Sequence, residues 1–129
     1  MSRLLLSIEV ECTETFNVKG AEKEVVLVQF HGTAHSDDFN GNIIGTGTDT
    51  QKYCLNNGKK NLSARYILEG TDKTGCHCRL FIENELIDDK GWKPTIVTNS
   101  KYLSSWEKKE LTASVDVTAK GVNVKIYEA

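Results

Sequence analysis

Along most of the chain apolar and polar residues alternate with a period of two. Between Asn61 and Glu69, Leu62, Ala64, Tyr66 and Leu68 fall on one face and Asn61, Ser63, Arg65 and Glu69 on the other, with Ile67 the one interruption. Successive side chains of a strand point to opposite faces, so this segment reads as a half-buried strand. The Gly70–Gly75 segment, with a glycine at each end and Asp72 inside, returns the chain into a second strand over Cys76–Asn84, a hairpin. The same alternation predicts strands over Arg3–Cys12, with Leu4, Leu6, Ile8 and Val10 on one face, and over Glu24–Ala34, with Val26, Val28 and Phe30 together. Shorter segments follow at Phe39–Thr46 and Thr50–Leu55, the latter ended by Asn56-Asn57-Gly58, and a further strand at Trp92–Thr98. Glu110–Thr118 and Val122–Ile126, joined by Ala119-Lys120-Gly121, form a final hairpin. Residues 99–106 have room for one helical turn, because Asn99 or Ser100 can accept the free amide hydrogens of a helix start.

Eight to nine strands with almost no helical periodicity place the chain in the all-β class. Short connections favour a single antiparallel up-and-down β-barrel over residues 1–129 rather than a sandwich, which needs longer crossings between sheets. Closure by the amino- and carboxy-terminal strands also pairs edges that would otherwise invite aggregation.

Composition narrows the function classes. Sixteen basic residues are scattered among 18 acidic ones for a net charge of −2, which provides no field for a polyanion, so no nucleic-acid partner is expected. Arg3 before Leu4-Leu5-Leu6 is too short to be a secretory signal, and no run approaches the roughly 20 apolar residues of a membrane helix. The expected compartment is therefore the cytoplasm, with no membrane partner and with Cys12, Cys54, Cys76 and Cys78 as thiols.

The glycines at 41, 45 and 47 leading into Asp49, the run Leu62–Leu68, Thr71-Asp72 with Gly75, Pro94 with Thr98, Tyr102 with Trp106 and the valine-rich tail ending at Tyr127 together resemble an uncharacterised family. It is catalogued as domain of unknown function thirty-two thirty-seven, small proteins of bacteria and fungi. The resemblance covers Gly41 to Tyr127 and implies a lipocalin-like, calycin-like barrel without a general activity. Two departures stand out: Thr50 where an aromatic residue often follows the aspartate, and an Asp-Gly turn stretched to Asp72-Lys73-Thr74-Gly75.

Candidate chemistry is sparse. The Gly41–Asp49 stretch has neither the Gly-Lys-Ser/Thr ending nor the following helix of a phosphate loop; its glycines suit a strand that kinks at a barrel corner and aims Asp49 at the mouth. Cys76 and Cys78 share a strand face and His77 takes the other, so they cannot converge on zinc, and no metal site or cofactor is expected. His31 and His35 read as surface or lumen polar residues. No Ser-His-Asp arrangement or nucleophile elbow is present.

The candidate ligand-binding residues are Asp49, Gln51, Arg65 and Tyr66 in a cavity at one end of the barrel, with Glu83 and Trp106 near its rim. Alternation sends Arg65 outward if Tyr66 points inward; a reversed register would bring its guanidinium into the lumen as an anchor for a carboxylate or carbonyl. Tyr102 and Trp106, four apart, either lid the open end or plug the core. Three function classes follow: a barrel binding a small organic ligand, a cofactor-independent acid-base enzyme using Asp49 and Arg65, and a homo-oligomeric structural or interaction module with a packed lumen.

Overall fold

In the computed structural model, which describes residues 2–87 and 90–129, eight antiparallel strands close in sequence order into one barrel. They are β1 (Arg3–Lys19), β2 (Lys23–His35), β3 (Phe39–Cys54), β4 (Lys60–Asp72), β5 (His77–Ile87), β6 (Trp92–Thr98), β7 (Leu111–Val117) and β8 (Gly121–Glu128). β1 and β8 pair from Arg3↔Glu128 to Glu11↔Gly121, so the terminal strands close the barrel as their alternation implied. Among the described residues no helix is long and apolar enough to cross a membrane.

Several strands are longer than the alternation alone suggested, because bulges let them continue through positions where the pattern breaks. The segments Phe39–Thr46 and Thr50–Leu55, expected as two strands, are one. Its pairing with β4 shifts between Ile44/Ile67 and Thr48/Arg65, so that residues 45–47 oppose Tyr66 alone. The shift amounts to two residues, which keeps Ile43 and Asp49 on the same inner face. Gly45 sits at φ 60°, where a side chain would strain the backbone. At Gly47 a Cβ would lie 2.3 Å from the Phe30 ring, so glycine there makes the space the ring occupies. Near the amino terminus a shift between Leu4 and Leu6 buries both Leu5 and Leu6 and leaves Leu4 exposed, in place of the simple Leu4–Leu6 alternation.

β1 runs on to Lys19 rather than ending at Cys12, through a second bulge between Cys12 and Thr15, and pairs there with β2 alone. This arm carries Phe16 opposite Leu27 and Val18 opposite Val25, with Phe16 and Val18 exposed.

The two ends of the barrel differ. The turns β1–β2, β3–β4, β5–β6 and β7–β8 all lie at one end; the β2–β3, β4–β5 and β6–β7 connections lie at the other. The β6–β7 connection, residues 99–110, is long where a short link was expected, and its one helical piece is a 3₁₀ turn at Ser104–Glu107. It seals that end. Leu103 and Trp106 are buried in the core with Phe39, Leu5 and Leu6. Beneath them Asp72 accepts hydrogen bonds from Ser100 Oγ at 2.6 Å, Thr74 Oγ1 at 2.6 Å and the amides of Thr74 and Cys76. Tyr102 donates to Asp38 at 2.8 Å. The hydroxyl and amide donors around Asp72 hold its carboxyl below the ordinary range, which ties the seal to two strand ends. Between β6 and β7 the ladder reduces to one pair, Trp92↔Ala113, which leaves the barrel wall thinnest beside the open end.

Candidate functional site

The open end leads into the lumen. A cavity of about 320 Å³ there is lined by apolar side chains from six strands, among them Val10, Val28, Phe30, Leu62, Val115, Val122 and Val124. Its volume falls at the small end of ligand pockets, which run from about 300 to 1,000 Å³. The polar lining is short: Asp49 and Gln51 from β3, Tyr66 from β4, Asn84 from β5, and the Cys12 thiol, with Trp92 at the edge of the thin wall.

Strand pairing explains why these groups meet. Asp49 pairs with Ala64, and Ala64 with Asn84, so the three stand side by side across β3, β4 and β5. The middle side chain of the row is a single methyl group, which leaves a notch flanked by a carboxyl and a carboxamide. Tyr66 lies two residues further into the barrel on β4 and meets Phe30 edge-on, ring centroids 5.6 Å apart. Toward the mouth, Gln51 Nε2 donates to Asp49 Oδ2 at 2.9 Å, and Tyr53 OH donates to Gln51 Oε1 at 2.8 Å. This chain fixes one carboxyl oxygen of Asp49 and leaves the other, Oδ1, buried without a partner.

Among the described residues four buried side-chain atoms have no hydrogen-bond partner. Three of them, Asp49 Oδ1, Tyr66 OH and Asn84 Oδ1, belong to residues lining this one cavity. Buried polar groups are nearly always paired, because an unpaired one costs about 1–3 kcal/mol. Burial raises the Asp49 carboxyl above its ordinary pKa of 3.8 against the opposing bond from Gln51. The Tyr66 hydroxyl is pushed up for the same reason. A larger and more open groove of about 660 Å³ lies among Glu9, Glu11, His31, Thr33, Asn42 and Asn123, but none of the unpartnered atoms belongs to it.

The structure thus brings Asp49, Gln51 and Tyr66 together and separates the other three candidates from them. Arg65 stands on the outer wall and pairs with Glu83 directly opposite at 2.6 Å, its side chain 65% exposed. The inward-Arg65 register fails because β4 runs without a bulge, paired to β5 from Asn61 to Thr71, so that Arg65 must face away from the buried Tyr66 and Leu68. Glu83 is its outer partner and not a rim residue. Trp106 lies 5% exposed in the seal at the opposite end, as core rather than lid. At the β4–β5 end, Cys78 is buried while His77 is exposed near Glu69, the split that strand parity requires.

Asn84, which the sequence pattern puts with Glu83 at a strand end near the barrel rim, completes the lining together with Trp92 and Cys12, which the candidate set omitted. Asn84 was legible: it follows Cys78, Leu80 and Ile82 on one face of β5, a polar group on an otherwise apolar stripe. Trp92 and Cys12 carry no comparable signal, since their roles depend on the β6–β7 wall and on where β1 leaves β8.

No family model matches the chain, and no curated protein matches it. Solved structures do. A protein of unknown function from Clostridium acetobutylicum superposes with a TM-score of 0.81 at 20% identity, over 99% of this chain and 95% of that one. An enzyme from Penicillium herquei gives 0.77 at 12% identity, over 99% and 92%. A beta-barrel like protein from Acinetobacter baumannii gives 0.72 at 16% identity, over 99% and 96%. At these identities the likeness concerns the fold: the chain shares its whole barrel with proteins of distant sequence.

Proposed function

We propose that this protein binds a small organic molecule in the open end of its barrel. The observation that carries the reading is the convergence of three unpartnered buried polar atoms on one apolar-walled cavity. A lumen meant only to be packed would fill the notch over Ala64 and pair or omit Asp49 and Asn84. A site kept for a ligand leaves those groups for the guest to satisfy. This favours binding over the packed-module reading.

Native mass spectrometry of the protein purified from its own host tests it. A noncovalently retained small molecule is expected, and Ala64→Phe, which fills the notch, should release it while the barrel still forms. A protein that emerges empty, and whose melting temperature no member of a library of neutral, anionic and cationic small molecules raises, overturns the reading.

The raised pKa of Asp49 favours a second reading, cofactor-independent proton transfer in the same cavity, with Asp49 as the base and without Arg65. The neighbour from Penicillium herquei is described as an enzyme, which is compatible with chemistry on this barrel. Under that reading Asp49→Asn retains the ligand and abolishes its turnover, because a carboxamide keeps the shape and takes no proton.

A further inference from the structure

Resting on the binding reading, we infer that the ligand is an uncharged molecule with an apolar body and at least one O–H or N–H donor, and that organic anions are rejected. Two kinds of observation carry this. The first is what the lumen lacks: among the described residues lining the cavity none is Lys, Arg or His. The guanidinium expected to anchor an acid is on the outer wall, bound to Glu83. Lys60 begins β4 two residues nearer the mouth than Leu62, outside that lining. An anionic guest would therefore be desolvated against valines, leucine and aromatic rings with no cation in contact, and beside a carboxyl.

The second is what the lumen offers. Of its three unpartnered atoms, Asp49 Oδ1 and Asn84 Oδ1 are acceptors that flank the Ala64 notch from either side, and Tyr66 OH can donate or accept. The Gln51 amide occupies the other oxygen of Asp49 and keeps the carboxyl turned, so the free acceptor is set before the guest arrives. A hydroxyl or amide N–H seated over Ala64 satisfies Asp49. The remainder of the ligand then lies against Val28, Phe30, Val115 and Val124, where there is nothing polar to pair with it. A molecule bearing only acceptors, an ether or ester, would leave both oxygens of the notch unpartnered and has only the Tyr66 hydroxyl to donate to it.

Three probes with the same two-ring body separate these possibilities: 2-naphthol, which donates, 2-methoxynaphthalene, which only accepts, and 2-naphthoate, an anion at neutral pH. Affinities for the full chain are measured by calorimetry, with quenching of tryptophan emission as a second readout from Trp92. The expected order places 2-naphthol about tenfold or more ahead of each of the others, the worth of one hydrogen bond to a charged or strongly polar acceptor. Asp49→Leu should bring 2-naphthol and 2-methoxynaphthalene to within about twofold of each other while both still bind. If 2-naphthoate binds as tightly as 2-naphthol, or the ether matches the naphthol in the unaltered protein, the ligand class is wrong and the lumen still binds. If none of the three binds, the binding reading fails and the inference falls with it.

Discussion

Asp49→Asn should stabilise the barrel near neutral pH and leave it almost unchanged in acid. The substitution keeps the shape and retains an amide oxygen for the Gln51 donor, so the 2.9 Å bond survives. It replaces a carboxyl whose second oxygen is buried without a partner by an uncharged amide in the same place. An unpaired polar group remains there, so the gain is only the added cost of burying it charged, an excess over the about 1–3 kcal/mol of a neutral one. Asp49 is half-buried beside the open mouth, so solvent screens part of that cost, and about 1 kcal/mol is the expected gain. For a chain of this size that corresponds to roughly 3–6 °C in melting temperature. The pH dependence follows from the direction of the shift. Burial raises the folded-state pKa of Asp49 above 3.8, so the folded state prefers the protonated form. The contribution of Asp49 is therefore at its best below the unfolded pKa and is lost as pH rises through the raised folded value. Asn cannot titrate, and its advantage should open across that window. The other groups facing this region, the Tyr66 hydroxyl, the Cys12 thiol and, toward the mouth, Glu24 and Lys60, are the same in both proteins, so they enter the difference only through their coupling to the Asp49 charge. Urea unfolding followed by tryptophan fluorescence at about pH 3 and about pH 7 measures it. A gain that is equal at the two pH values, or larger in acid, would refute the claim that Asp49 is held in a lumen that disfavours its charge.

Gly47→Ala should cost about 1–3 kcal/mol by urea unfolding, since its methyl group would sit 2.3 Å from Phe30 Cε1 and would push the ring out of its edge-on contact with Tyr66; a neutral effect would mean the ring is free to move. Arg65→Ala should change stability by less than about 1 kcal/mol and leave 2-naphthol affinity unaltered, because it breaks only an outer-wall ion pair. A loss of affinity in that variant would place Arg65 back in the site. Ser100→Ala should shift the acid-unfolding midpoint, read by circular dichroism, to higher pH. Asp72 is held below the ordinary range chiefly by Ser100, so its stabilising effect is present above the unfolded pKa and is lost as pH falls through the folded one. Weakening that hold moves the loss upward; an unchanged midpoint would show that the seal does not depend on this bond.

Alternation was enough to establish the all-β class, the order of the strands and the inward direction of Tyr66, Leu68, Leu80 and Ile82, because each strand's inner face must be apolar and the period of two allows one solution per strand. It also placed Asp49 and Gln51 on one face, while the glycines before them, read as a kink, pointed Asp49 at the mouth. Bulges are a different matter. The two-residue shift in β3, the shift that buries Leu5 and the one that extends β1 into the arm are matters of how two strands align, which a single strand's pattern does not contain. The same limit governed the site. Whether Arg65 faces the lumen depended on β4 running without a kink of its own, which only its pairing with β5 shows. Which end Trp106 occupies depended on the order of connections around the closed barrel. That Asp49, Ala64 and Asn84 stand in one row is a property of three strands in register, and so is the shortage of partners that marks the cavity. Residue type and period decided which way each side chain points; only closure of the barrel decided which neighbours it meets and which of its hydrogen bonds are left for a guest.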